Sequence, residues 1–177
     1  MNIFYLDPNP RTCAEMHCDK HVVKMIIEDA QLLSTAHRVL DGVATPGRTA
    51  TGRRRTDYVL HPNRDGVLYR ATHLNHPSAV WARATSANYD WLYVLWRELM
   101  IEYTYRYNKH HACEKLINGL KPLPYNITKG DFTEPPPAMP DYCKIKGNSV
   151  ASYRNYYIKE KVSFAKWKRE IPKWFIV

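Results

Sequence analysis

Between His17 and Arg38, seven polar residues recur in steps of 4, 3, 4, 3, 4 and 3: His17, His21, Lys24, Glu28, Gln31, Thr35 and Arg38. That spacing holds one narrow line along an α-helix. Around it, Val22, Val23, Met25, Ile26, Ile27, Ala30, Leu32, Leu33 and Ala36 cover most of the remaining circumference, the pattern of a buried helix. Charged groups on such a helix require partners or a cleft. The line therefore either faces water, with Lys24 and Glu28 as a supporting i, i+4 pair, or lines a polar pocket. In the pocket arrangement a carboxylate, an imidazole and amines converge, and Glu28, His21 and Lys24 are the candidate catalytic groups, with His21 poised near neutrality. His17 and His21 are also spaced as a ligand pair, with Cys18, His110 and His111 as further donors. Zinc needs three or four convergent ligands, so no metal and no cofactor is expected. Cys13, Cys18, Cys113 and Cys143 form no CxxC pair and read as reduced thiols.

The elements that would position these groups are helical. Ile3 to Leu6 is extended, a strand or a simple segment. Asn9-Pro10 supplies a helix cap and a first-position proline. The helical pattern then runs to Leu40 with a break near Asp19, and Gly42 stops it. Residues 43–63 hold Pro46, Gly47, Gly52 and Arg53-Arg54-Arg55, an exposed basic loop. Residues 65–75 read as helix, interrupted by Asn75-His76-Pro77. Ser78 can cap a short helix and Ser86 a long one, from about Asn88 to Tyr107, in which Leu92, Leu95, Trp96, Leu99 and Tyr103 keep helical spacing. A further short helix fits Cys113 to Asn118. Six of the twelve prolines fall in 121–141, which predicts an irregular crossover. Ser149 caps a last helix to about Trp167, and Trp174 and Phe175 pack the tail down. The expectation is a mainly α fold: a single compact helical domain over 1–177, with long irregular loops and little or no β structure.

The chain has 177 residues and a formal charge of +9, from 26 Lys plus Arg against 17 Asp plus Glu. With 45% hydrophobic residues it can bury a core, which excludes a wholly disordered tail. No run of about 18 apolar residues exists, so no membrane partner is expected. The first residues lack a basic n-region, so a cytoplasmic location is expected. The charge is uneven: residues 1–45 are net −2, 46–70 net +4, 71–143 neutral and 144–177 net +7. Aromatic residues interleave the last segment, which suits a polyanion, most simply DNA. Arg53, Arg54 and Arg55 are candidate phosphate contacts. Arg154, Lys159, Lys161, Lys166 and Lys168 form a candidate DNA-facing surface, and His76 is a further DNA-binding candidate, in a turn that either directs the chain toward the cleft or simply breaks a helix. The absence of a P-loop, a Rossmann glycine pattern and a GxSxG motif argues against kinase, dehydrogenase and common hydrolase chemistry.

Asp19-Lys20-His21-Val22-Val23, followed by Glu28, resembles the early helix of the phage pyrimidine-dimer DNA glycosylases of the endonuclease V type. The opening Met1-Asn2-Ile3-Phe4-Tyr5-Leu6-Asp7-Pro8 is similar to the start of bacterial relatives. His76 to Tyr107 is similar to the family's histidine and long helix, and Tyr153-Arg154-Asn155-Tyr156-Tyr157 to its aromatic C-terminus. His17-Cys18-Asp19-Lys20-His21 also resembles phage proteins linked to thymine hypermodification. The resemblance implies an all-α bifunctional enzyme in which an amine attacks the sugar C1′, the base leaves and β-elimination cuts the strand. It implies DNA as partner, a host-cell cytoplasmic location and Glu28 as the group that serves the sugar oxygen and the proton transfers. An α-amino group, with a pKa of about 7.7–8.0, is partly neutral at pH 7, which suits it to attack. The sequence departs from the family at the terminus, because Asn2 follows Met1 and methionine is ordinarily retained before a residue of that size. The nucleophile is then the amine of Met1, or Lys20 or Lys24, or it is absent. A non-catalytic DNA-binding module and a base-hypermodification transferase are the competing readings, and the sequence sets no oligomeric state.

Overall fold

The computed structural model describes residues 1–176. Its axis is a pair of long helices built on a short one. α1 (Pro10–Met16) begins where the Asn9 side chain accepts from the Thr12 amide at 3.1 Å, with Pro10 in the first position. The chain turns at His17–Cys18 and continues as α2 (Asp19–Asp41). Arg106 holds that turn. Its buried guanidinium donates to the carbonyls of Glu15 and His17 and to the carboxylates of Asp19 and Glu102. Each bond is made to a fixed acceptor, so the guanidinium fork locks the angle between α1 and α2.

Residues 43–63 are not a loop. They contain an antiparallel hairpin of β1 (Val43–Arg48) and β2 (Arg54–Val59), paired from Val43 with Val59 to Arg48 with Arg54. Gly52, at φ +82, closes the tip in the left-handed conformation that glycine tolerates. The fold is therefore mainly α with a small two-stranded sheet. Residues 65–75 also differ from expectation, because only α3 (Pro62–Asp65) is helical. The reason is Arg38. Its buried guanidinium binds the carbonyls of Tyr58, Asp65, Leu68 and Tyr69 together with the Asp65 carboxylate, drawing the backbone around itself. A helix would have used those carbonyls internally.

α4 (Pro77–Ala82) is capped by the imidazole of His76, and α5 (Ser86–Tyr107) by Thr85. α5 packs along α1 and α2, and the Trp96 indole donates to the Ile26 carbonyl at 2.9 Å. α6 (Ile117–Leu120) follows a 3-10 turn over Ala112–Leu116. The proline-rich stretch is irregular, as its composition requires, and its backbone is held by α7 (Ser149–Glu160): Ser149 and Tyr153 donate to the carbonyls of Pro135 and Pro136. α7 stops at Glu160 rather than near Trp167. Beyond it the chain doubles back, so that Trp167 donates to the Met16 carbonyl and the Asp19 amide to that of Lys166. Ile3, Phe4, Tyr5 and Leu6 run through the core among α2, α5 and α7 in no regular element, all essentially buried. Among the described residues no helix is long and apolar enough to cross a membrane.

Candidate active site

The polar line on α2 divides into buried and open parts. His17, His21, Thr35 and Arg38 are buried, whereas Lys24, Glu28 and Gln31 reach the surface. Val23 and Ile27 are also exposed, so α2 is less enclosed than its composition suggests. Lys24 and Glu28 lie in a cleft of about 470 Å³, within the range of ligand-holding pockets (roughly 300–1,000 Å³). Lys20, His21, Lys24 and Glu28 line it from α2, Met1, Asn2 and Phe4 from the N-terminal segment, and Tyr156, Lys161 and Phe164 from the end of α7 and beyond.

Glu28 is the centre of this cleft. Its Oε2 lies 4.0 Å from the Met1 nitrogen and accepts from the Asn2 amide at 3.1 Å. Its Oε1 lies 3.2 Å from Lys24 Nζ. Asn2 is itself fixed from outside, since its side-chain amide donates to the Ala138 carbonyl at 2.8 Å. The irregular crossover thus anchors the N-terminal segment against the carboxylate. Phe4 has φ +54, a left-handed conformation costly for a bulky residue, on the order of 1–3 kcal/mol. Packing holds it there: the His21 ring stacks on it at 4.1 Å, and Cys13 Sγ donates to its carbonyl.

His21 is not poised near neutrality. Burial first, then the charges of His17, Lys24 and Lys161, push its pKa down to about 2. At neutral pH it is an uncharged ring, its Nδ1 2.5 Å from the Tyr157 hydroxyl. His76 lies close enough to the Met1 amine and Glu28 to feel both charges, and burial is the main cause of its lowered pKa. Among the described residues no three His, Cys, Asp or Glu side chains converge as a metal site.

The sequence-predicted cationic residues are dispersed. Lys161 belongs to the cleft, its Nζ 3.0 Å from the Tyr156 hydroxyl and 4.2 Å from that ring's centre. Arg154 is engaged internally, with Leu6, Asp7 and the Trp174 ring. Lys159 binds the Tyr142 carbonyl, and Lys168 lies over Tyr107. Lys166 is exposed. Arg53 and Arg54 are exposed on the hairpin, while Arg55 pairs with Asp57 at 2.8 Å. A larger hollow of about 700 Å³ lies between α1, α5 and the tail, but Arg169 ties up its Glu15 carboxylate at 3.2 Å. The Glu28 cleft instead brings a carboxylate together with the Met1 and Lys24 amines.

The family model for pyrimidine dimer DNA glycosylase matches residues 1–115. The chain belongs to the pyrimidine dimer DNA glycosylase family. Comparison with curated proteins and with solved structures returned no match. The family match includes Met1, His21, Lys24, Glu28, the hairpin and His76. Ala138, Tyr156, Lys161 and Phe164 lie beyond it, so one wall of the cleft in this glycosylase-family chain comes from outside the matched region. Sequence reasoning singled out Glu28, His21, Lys24, Met1 and Lys161 but missed Asn2, Phe4, Ala138, Tyr156 and Phe164 as lining groups. The clue to Asn2 was its place beside a candidate amine, and that to Tyr156 and Phe164 was their interleaving with the C-terminal basic residues; Ala138 carried no local signal.

Proposed function

We propose that the chain is a DNA glycosylase with lyase activity on a damaged or modified pyrimidine, that the Met1 α-amine is its nucleophile and that Glu28 is its proton carrier. The observation that supports this most is the 4.0 Å separation of the Met1 nitrogen and Glu28 Oε2 at the floor of an open cleft. In the proposed sequence the amine's lone pair forms a bond to C1′ and the glycosidic bond breaks, its electron pair leaving with the base. The nitrogen must lose a proton, which the adjacent carboxylate is placed to accept; as the C=N bond forms the C1′–O4′ bond breaks, its electron pair leaving on O4′, which takes up that proton. Removal of a C2′ proton then expels the 3′ phosphate oxygen. Lys24 and Lys161 supply positive charge for phosphates, and the rings of Tyr156 and Phe164 supply stacking faces for an unstacked base.

Borohydride trapping on UV-irradiated and abasic-site DNA tests the reading. The expected adduct maps to residue 1, disappears when that amine is blocked by acetylation or by an added residue, and survives Lys24→Ala. Glu28→Gln should retain DNA binding while lowering the single-turnover rate by roughly 10²–10⁴-fold. An adduct on a lysine overturns the nucleophile assignment. No adduct on any substrate, together with an unaltered Glu28→Gln protein, overturns the lyase.

A further inference from the structure

The β1–β2 hairpin takes no part in the cleft, yet it gathers four arginines, Arg48, Arg53, Arg54 and Arg55, at one end of a two-stranded ribbon. Residues directly opposite in an antiparallel pair share a face. One face of the ribbon therefore carries Arg48 with Arg54, then Pro46 with Thr56, then Ala44 with Tyr58. The other carries Arg55 with Gly47, where the Asp57 carboxylate neutralises Arg55. Arg48 and Arg54 are exposed, as is Arg53 at the tip, and among the described residues no carboxylate pairs with any of the three. Arg48 donates to the Gly52 carbonyl at 3.0 Å. Three unpaired guanidinium groups at the end of a narrow two-stranded ribbon fit a groove lined by phosphates, and the major groove of duplex DNA admits such a ribbon.

The root of the ribbon is fixed relative to Glu28. Arg38, on the same line of α2 as Glu28, binds the Tyr58 carbonyl of β2 at 2.8 Å. Ten helical residues separate Glu28 from Arg38, about 15 Å. The six-residue strands reach about 20 Å further. At about 3.4 Å per base pair, that span corresponds to about 5–10 base pairs.

We propose that the β1–β2 hairpin is a second DNA-gripping element, a ribbon seated in a groove of duplex DNA about 5–10 base pairs from the nucleotide held at Glu28. Its placement rests on the reading of the Glu28 cleft as a DNA site. The ribbon grips undamaged duplex through phosphates and base edges, and so supports search and orientation rather than the chemical step.

The test compares the full chain with an Arg48→Ala/Arg53→Ala/Arg54→Ala variant and a charge-matched Lys109→Ala/Lys121→Ala/Lys129→Ala control. The probe is a 30-base-pair duplex with one central reduced abasic site. The ribbon variant should lose at least ~10-fold in affinity at low salt. The magnitude of its salt slope should fall by about 0.9 for each phosphate contact removed. Hydroxyl-radical protection should vanish on one flank while protection at the abasic site remains. Cutting that flank to three base pairs should weaken the parent and leave the ribbon variant unaffected. Equal losses in the control, an unchanged footprint, or competition by poly-aspartate as effective as by duplex at equal charge would each overturn the ribbon. Ribbon-dependent affinity for duplex with no protection at the abasic site of the probe supports the ribbon while failing the cleft.

Discussion

Glu28 and its neighbour Asp29 have opposite surroundings on one helix. Glu28 has an amide, a lysine and the Met1 nitrogen within reach. Asp29 is completely buried, and neither of its oxygens has a partner. Burial, with the charge of Glu28 adding to it, raises the Asp29 pKa well above its ordinary value, so the folded protein holds this proton to a higher pH than the unfolded chain does. The unfolded chain loses the same proton above about pH 4. The folded state then binds more protons, and stability falls as pH rises, by up to about 1.4 kcal/mol per pH unit for this group. Asp29→Asn should remove that slope and raise the urea midpoint more at pH 7 than at pH 5. An identical pH dependence of the two midpoints would refute it. The α2 spacing marked Glu28 in the sequence because a helix repeats its face regularly. Asn2 escaped notice because its role runs through a backbone N–H and a carbonyl 136 residues away, and neither leaves a periodic trace.

At the scale of elements, Arg38 decides the shape of residues 58–69. Its guanidinium is 4% exposed and satisfies four carbonyls and one carboxylate. Lysine cannot reproduce this fork, since its ammonium offers three donors from a single point. Arg38→Lys should therefore lower stability by about 3 kcal/mol, as expected when a buried charge network loses its geometry. Amide exchange should show residues 43–70 opening well before α5. Uniform loss of protection across the molecule would contradict that assignment. The long helices were legible because apolar spacing and caps agree with the packing they receive. The hairpin was not, because Pro46, Gly47, Gly52 and the arginines suggested a loop, and cross-strand pairing leaves little signal within one strand. The false helix at 65–75 arose because no local pattern reveals that a distant arginine will claim its carbonyls.

For the whole molecule, imidazole burial sets the acid limit. Burial lowers the His17 pKa to about 4 and that of His21 to about 2, and it also lowers that of His37. All three are neutral when folded, but the unfolded chain takes up protons as pH falls below about 6.5. Stability is therefore complete above that value and declines below it, continuing to about pH 4 for His17 and about pH 2 for His21. Thermal midpoints at pH 7, 5.5 and 4.5 should drop progressively, and a His17→Gln, His21→Gln pair should flatten the decline; a midpoint constant over that range would exclude it. Charge is divided in the same way as the chain: cations of the hairpin lie beyond one end of α2, and Lys20, Lys24 and Lys161 surround the other. The Ile3–Leu6 segment has a temporal consequence. Its covering partners include Tyr153 and Tyr157, and Asn2 is tethered to Ala138. At a synthesis rate of about 5–20 residues per second, roughly 10–30 s pass on the ribosome before residue 157 is made. Through that interval the residues that the fold later sets beside Glu28 stay uncovered, and their chemical state when α7 packs is the one carried into the cleft.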